Sequence, residues 1–245
     1  MIYSIFAQVY DELMDPEIYD NWLNLVNKVA DKQENKLLDL ACGAGRLAVM
    51  LAQSGYQVTG ADLSEEMLAL AEARTRKEEA DLSLVQANMT DLSELENFDI
   101  VTCGLDSLCY LADEEEVLRT FQEVSEHLNE KGIFVFDVIS PYQTDIVYPG
   151  YMYNYTTKEQ AFLWESFAGE TLHSVIHDLT FFIADKNKAS YQRYEETHYE
   201  RTYELDVYLK LLSQAGFDKI EATADYGNGK IDKETTRFFF VCHKR

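Results

Sequence analysis

The feature that most constrains this chain is a short apolar strand that runs into glycines and then into a helix. The segment 36–50 reads KLLDLACGAGRLAVM, and its apolar run at 37–40 is typical of a strand covered on both faces. Gly43 and Gly45 allow a tight turn and a close approach of the backbone to a ligand. A helix that starts at Arg46 would point its free N–H groups at that turn. We therefore expect a ligand site where this strand meets this helix.

A second strand, at 57–61, ends at Asp62. A carboxylate about 20 residues beyond a glycine turn is the position that contacts a ribose hydroxyl in nucleotide-binding α/β folds. The stretch 43–48, GAGRLA, also fits the loose dinucleotide pattern G-x-G-x-x-G/A, which by itself is weak evidence. The spacing therefore indicates a nucleoside ligand without deciding which one.

Asp39, just before the glycines, favours a positively charged nucleoside. A pyrophosphate would be repelled by a carboxylate beside the turn, whereas S-adenosylmethionine carries a sulfonium and an ammonium and has no phosphate. The other interpretation of Asp39 is a carboxylate that only accepts hydrogen bonds from loop N–H groups.

Two motifs carry a resemblance to a known family. The segment 39–45, DLACGAG, resembles the first motif of the class I S-adenosylmethionine-dependent methyltransferases, and 61–67, ADLSEEM, resembles their second. The resemblance runs from about residue 37 to 138, fits the small-molecule branch, and resumes near the C-terminus. It implies a methyltransferase with S-adenosyl-L-methionine as cofactor. The residues that it implies at the cofactor are Tyr10, Asp39, Ala41, Gly43, Gly45, Asp62, Leu63, Met67, Asn88, Met89 and Cys103.

Two of these assignments have specific alternatives. In the family, the loop at 87–91 holds the adenine through a polar side chain, often Asp; here it is Asn88, which can accept through its carbonyl or act as an ordinary turn residue. Tyr10-Asp11 is similar to a Tyr-Asp pair that closes over the cofactor in related enzymes, and Tyr10 as a core aromatic is the alternative.

The order of strands and helices predicts an α/β fold with a seven-stranded Rossmann-like methyltransferase sheet, helices on both faces and the last strand antiparallel. We assign 1–141 and 204–245 to the cofactor-binding domain, with 1–31 as an N-terminal helical cover. The residue pattern changes after Pro141. Strands are expected there at 161–167, 171–183 and 190–203. We interpret 142–203 as an antiparallel β insertion after strand five, too long for a plain loop, that covers the substrate or mediates a dimer.

The composition bounds the class of partner. The chain has 245 residues, 47% of them hydrophobic, and a net charge of −23 from 21 basic and 44 acidic residues. Such a surface repels phosphate backbones, so we expect a small-molecule substrate and no nucleic acid. Whether the chain forms a homodimer stays open. No apolar stretch approaches the ~20 residues of a membrane span. The four cysteines show no C-x-x-C spacing, so we expect free thiols, no metal site and a cytoplasmic protein.

Methyl transfer from a sulfonium needs alignment, exclusion of water and sometimes a base. Asp106, in the loop after strand four, is the candidate catalytic residue, as a base or as an anchor for an amine or hydroxyl; a turn-forming Asp is the alternative. His173 and His177 lack the glutamate of a zinc motif and are expected to be structural or substrate-facing, as is His198. The tyrosines at 148–155 could cage a cationic amine or pack an interface.

Two other functions stay open from the residues alone. One is an NAD(P)-binding oxidoreductase, against which Asp39 and the missing third glycine stand. The other is a non-catalytic sensor of S-adenosylmethionine.

Overall fold

A computed structural model describes residues 15–30, 35–185 and 190–245, and the strands of these residues form two sheets. The first sheet has seven strands in the order β3-β2-β1-β4-β5-β11-β10, and the second has four in the order β6-β7-β8-β9. The strands are β1 (Lys36–Leu40), β2 (Gln57–Asp62), β3 (Leu82–Gln86), β4 (Phe98–Cys103), β5 (Leu128–Ile139), β6 (Met152–Thr156), β7 (Gln160–Ala168), β8 (Ser174–Ala184), β9 (Tyr191–Arg201), β10 (Phe217–Thr223) and β11 (Arg237–Lys244).

The larger sheet has the predicted topology. Strands β1 to β5 run parallel, and β11 lies antiparallel between β5 and β10. The parallel strands end at one edge, where ligands bind in open α/β sheets. Because β11 is antiparallel, it starts at that same edge, and its first residue, Arg237, pairs with Ile139 at the end of β5.

Within the described parts of the chain, five α-helices cover the large sheet: α1 (Pro16–Val29), α2 (Arg46–Gln53), α3 (Glu65–Lys77), α4 (Glu114–His127) and α5 (Leu205–Gln214). The expected caps are present at three starts. Asp15 accepts from the Glu17 N–H, Ser64 from the Met67 N–H, and Asp113 from the N–H groups of the first turn of α4. These caps satisfy backbone donors that the helices leave unpaired.

The core lies on both faces of the large sheet, as the sequence predicts. On one face α1 and α2 bury Trp22, Val26 and Leu51 against the strands. On the other face α4 and α5 bury Phe121 and Leu212, among others. Burial of this apolar area on both faces stabilises the sheet and so holds the ends of its strands, which carry the site, in place.

The second sheet follows β5 in the chain, and it has four strands where the sequence predicts three. The extra strand is Met152–Thr156, inside the tyrosine-rich segment, which pairs antiparallel with β7. The sequence does not reveal this strand, because a strand whose residues are all exposed need not alternate polar and apolar side chains. In β9 the odd-numbered residues face outward and the even-numbered ones inward, with Glu200 the most buried.

The inner face of the second sheet turns toward the large sheet. Phe162, Leu179 and Phe181 form a small apolar cluster against which Met67 of α3 packs. The Tyr110 hydroxyl, in the 3₁₀ turn after β4, lies 3.0 Å from Nδ1 of His198 in β9. None of the described helices is both long and apolar enough to cross a membrane.

Candidate active site

The glycine turn between β1 and α2 has the tight backbone that the sequence predicts. Gly43 and Gly45 both have positive φ, 53° and 74°. A Cβ on Gly43 would meet no atom within 4 Å, so open space lies beside the turn. A Cβ on Gly45 would lie 2.8 Å from Cβ of Ala71 in α3, so this glycine is needed for packing. Ala41 also has positive φ, 57°, and non-glycine residues in this region are typical of functional sites.

Asp39 and Asp62 lie at neighbouring strand ends on either side of this turn. Asp39 pairs with Gly60 across β1 and β2, two residues before Asp62. The Asp62 carboxylate accepts the Gly43 N–H at 2.8 Å and the Ser64 N–H at 2.9 Å. Asp62 therefore connects the glycine turn to the start of α3.

Asp39 is 2% exposed and only partly satisfied. Its Oδ1 accepts the Thr102 hydroxyl at 2.7 Å, while its buried Oδ2 has no hydrogen-bond partner among the described residues. Burial raises the pKa of Asp39 to about 7, opposed by the Thr102 bond and assisted by the charge of Asp62. Burial also raises the pKa of Asp62, opposed by its backbone N–H bonds. A buried carboxylate oxygen without a donor fits a cationic ligand and disfavours a phosphate.

The other residues expected at the cofactor are distributed as follows. Cys103 is buried at the end of β4, Leu63 is 65% exposed beyond β2, and Met67 is half-buried under the second sheet. The Asn88 carbonyl accepts both the Thr90 N–H and the Thr90 hydroxyl at 3.0 Å, which is the turn role. Met89 packs half-buried against the core, and Tyr10 lies outside the described residues.

Comparison with known proteins decides the family. A family model described as "Methyltransferase domain" matches residues 37–132. A protein named "Putative methyltransferase" from Geobacillus sp. (strain WCH70) is 39% identical over 100% of both chains. The crystal structure of an S-adenosylmethionine-dependent methyltransferase from Clostridium acetobutylicum ATCC 824 is 30% identical, with a TM-score of 0.86 over 99% of this chain and 98% of that one.

The chain belongs to the S-adenosylmethionine-dependent methyltransferases. It is an enzyme of the class I fold with S-adenosyl-L-methionine as cofactor. A more distant relative is the glycine/sarcosine N-methyltransferase of Halorhodospira halochloris, 25% identical over 98% of this chain and 87% of that one. These relatives give no support to the nicotinamide oxidoreductase or to the non-catalytic sensor.

Asp106, the candidate catalytic residue, is held in an ion pair that the sequence did not reveal. It follows β4 in a left-handed conformation, φ 55°, directly after Leu105 at φ 58°. Its Oδ2 accepts from the Arg237 guanidinium at 2.5 Å, and the same guanidinium donates to the fully buried Asp137. Burial raises the pKa of Asp106 to about 6, with Arg237 opposing and Glu200 and Asp137 adding to the rise. Asp106 stands at the N-cap position of the 3₁₀ turn, but no capping bond from its side chain is seen among the described residues.

Two cavities adjoin this ion pair. A small one, about 70 Å³, lies between α1 and the ends of β4 and β5, with Trp22, Asp106 and Asp137 in its wall. A larger one, about 510 Å³, lies under the loop between β10 and β11. Arg237 and Tyr226 line both, so the pair sits where the two spaces meet.

A second polar group lies on the inner face of the second sheet. His177, 3% exposed, accepts at Nδ1 from the Trp164 indole N–H at 3.1 Å and lies 2.8 Å from the Ser166 hydroxyl. Its Nε2 lies 3.7 Å from Oε2 of Glu200, itself 8% exposed. Tyr148 contacts the His177 ring edge-on at 4.7 Å. His173 lies apart from this group, in the turn before β8, with Nδ1 2.7 Å from Asp145.

Sequence reasoning missed Asp137, Arg237, Glu200 and Trp164 as site residues. A signal existed for Asp137, the one acid in the apolar stretch 133–139, IFVFDVI. A charged residue inside a buried strand needs a charged partner, so this pattern predicts a basic side chain near Asp137. Arg237 and Glu200 gave no such signal, because their positions depend on how β11 and β9 meet β5.

Proposed function

We propose that this methyltransferase acts on a small-molecule acceptor bound between the carboxyl ends of β4 and β5 and the second sheet. The observation that carries the proposal is the half-satisfied buried carboxylate of Asp39 beside Asp62 and the open glycine turn. In this proposal Asp39 attracts the positive charges of S-adenosylmethionine, Asp62 accepts from its ribose, and the backbone of Ala41, Gly43 and Gly45 lies against it. Leu63, Met67, Met89 and Cys103 contribute walls.

S-adenosyl-L-methionine supplies an activated methyl group and leaves as its thioether. The chain then needs only to align the acceptor, keep water out and take up a proton where the acceptor carries one. Because Asp106 is paired with Arg237, we assign it an anchoring role at the acceptor side rather than that of a free base.

We infer further that 142–203 is a cover over the acceptor rather than a dimer element. Its inner face packs on Met67, in the first turn of the helix that follows Asp62 in the chain, and reaches the turn after β4 through Tyr110 and His198. A cover of this kind excludes water and encloses a space suited to a small acceptor. The acidity of the chain disfavours a nucleic-acid acceptor, and the Halorhodospira relative is named for small substrates, glycine and sarcosine.

The test is calorimetric titration with S-adenosylmethionine and, separately, with NADH. We expect the wild type to bind the first and not the second. Asp62→Asn places an amide N–H₂ against backbone N–H donors, so it loses charge-assisted hydrogen bonds and binds S-adenosylmethionine roughly 10- to 100-fold more weakly.

The matched control is Asp81→Asn, which removes an exposed carboxylate just before β3 and should leave the affinity unchanged. Equal affinities of the Asp62→Asn variant and the wild type would contradict the assignment, and binding of NADH alone would overturn it.

A further inference from the structure

A row of three side chains crosses the inner face of the second sheet. Trp164 on β7, His177 on β8 and Glu200 on β9 lie on neighbouring strands, each one diagonal to the next. His177 and Glu200 are buried, and the Trp164 N–H reaches the first ring nitrogen of His177. The row therefore has one hydrogen bond, from Trp164 to His177, and ends in a buried carboxylate 3.7 Å from the His177 ring.

The hydrogen bond from Trp164 determines the protonation of His177. An indole N–H can only donate, so Nδ1 of His177 must be an unprotonated acceptor. The Ser166 hydroxyl then also donates to this nitrogen. The ring is accordingly neutral and carries its proton on Nε2, which faces Glu200 at 3.7 Å.

The Glu200 carboxylate is therefore not neutralised by the histidine. The distance of 3.7 Å exceeds that of a direct hydrogen bond, and no closer polar contact to this carboxylate is seen among the described residues. A carboxylate that is 8% exposed needs donors, since burying a charge without them is costly.

Tyr148 lies near Glu200 and near the ion pair of the large sheet, and its ring contacts His177 edge-on at 4.7 Å. Burial raises the pKa of the Tyr148 hydroxyl, and the charges of both Asp106 and Glu200 raise it further, so this tyrosine lies near both carboxylates. The charged groups at this junction include the carboxylates of Asp106, Asp137 and Glu200 and the guanidinium of Arg237. The guanidinium is taken up by the two aspartates, so negative charge remains in excess on the Glu200 side.

Aromatic rings flank the same position. Tyr148 and Tyr151 lie 6.3 and 5.6 Å from the Trp164 ring, centroid to centroid. Aromatic faces attract cations, most strongly those of tryptophan and tyrosine. Excess negative charge and aromatic rings both select a positively charged group.

We propose that the methyl acceptor is an amine, and that its ammonium form binds Glu200 at the junction of the two sheets. Trp164 and His177 act as positioning residues, because the Trp164 N–H orients the His177 ring so that its Nε2 side faces the Glu200 carboxylate. This rests on the methyltransferase function and acceptor position proposed above, and it names the acceptor class.

The proton and electron balance is simple. The ammonium gives one proton to the Glu200 carboxylate, which becomes a carboxylic acid, and the nitrogen keeps its lone pair. That pair forms the bond to the methyl carbon while the carbon–sulfur bond breaks, and its electrons stay on sulfur. The products are an N-methylated ammonium and a neutral thioether.

The experiment is a binding measurement that does not require the natural acceptor. The full chain is first saturated with S-adenosylhomocysteine, and then titrated by calorimetry with benzylamine hydrochloride and with benzyl alcohol at pH 7.5. The two probes have matched rings and differ in charge. We expect saturable binding of benzylamine at least about tenfold tighter than that of benzyl alcohol, the value of one hydrogen bond to a charged group.

Glu200→Gln should abolish this preference and leave the affinity for S-adenosylhomocysteine unchanged. The matched control is Glu195→Gln on the same strand, whose side chain is exposed on the opposite face and pairs with Arg193; it should keep the preference. Equal binding of the two probes, no binding of benzylamine, or a preference that survives in Glu200→Gln would each overturn the proposal. Failure of S-adenosylhomocysteine to bind would instead overturn the cofactor assignment on which it rests.

Discussion

Replacing Asp39 by Asn should make the ligand-free protein more stable, by an amount that depends on pH. Burial raises the pKa of Asp39 from 3.8 to about 7. The native protein therefore holds this proton over a pH range in which the unfolded chain has lost it. Wild-type stability falls as pH rises between these two values, and the loss is complete above the folded pKa.

The size of the effect follows from the pKa difference. Each pKa unit is worth about 1.4 kcal/mol, so burying the ionised Asp39 costs the folded protein about 4 kcal/mol at pH 8. At pH 5.5 the folded protein keeps the Asp39 proton that the unfolded chain has lost, and this costs about 2 kcal/mol. Asn carries no charge at either pH, and its side-chain oxygen can still accept the Thr102 hydroxyl. The advantage of Asp39→Asn should therefore grow by about 2 kcal/mol between pH 5.5 and pH 8.

The assay is denaturation of both proteins at the two pH values, without ligand and with S-adenosylhomocysteine. The growing advantage corresponds to roughly 4–8 °C in Tm for a chain of this size. With ligand present, the wild type should gain stability and the variant should gain little, because the ligand's ammonium offsets the buried charge only where the charge exists. Asp81→Asn should show no pH-dependent difference.

A lower stability of Asp39→Asn at pH 8, or the same difference at both pH values, would refute the reasoning. Either result would mean that the Asp39 carboxylate already has a donor or a cation in the ligand-free protein.

Two further predictions concern the backbone turn and the histidine. Gly45→Ala should destabilise the protein by more than the ~1–2 kcal/mol of left-handed backbone strain, because the new Cβ would also lie 2.8 Å from Ala71. The control is Gly55→Ala, at φ 101° with no atom within 4 Å of the new Cβ, which carries backbone strain alone and should cost less. Denaturant titration of both variants measures the difference. Nitrogen NMR of His177 should show Nδ1 unprotonated and Nε2 protonated at pH 7.5, with a weaker preference in Trp164→Phe. A proton on Nδ1 in the wild type would contradict the proposed alignment of Glu200.

Much of the cofactor side could be predicted because it is local in the chain. Asp39, Gly43 and Gly45 lie within one strand and one turn, and Asp62 ends the next strand, so hydrophobic periodicity and parallel pairing suffice to bring them together. The residues that the second motif added, such as Leu63, came from family resemblance and stay predictions. The Asn88 carbonyl accepts from Thr90 in its own turn, and the contact of Asn88 with the adenine stays a prediction.

The sequence predicts that a second, antiparallel sheet exists, but not all of its strands or which side chains face inward. Its strands alternate visibly where one face is buried, as in β9, and not where every side chain is exposed, as in β6. In β9 the odd-numbered side chains, which include tyrosines and arginines, face outward, and the even-numbered face, with Glu200, turns inward.

The sequence by itself determined the fold class, the position of the glycine turn and the pairing of acids at two strand ends, because each depends on neighbours in the chain or on adjacent strands. Only the tertiary structure brought Arg237 to Asp106 and Asp137, and Glu200 toward the same place. These residues are up to 131 positions apart, and they meet because β11 inserts antiparallel beside β5 while the second sheet folds back over the strand ends. No local pattern encodes that meeting, since it is decided by the packing of one sheet against the other.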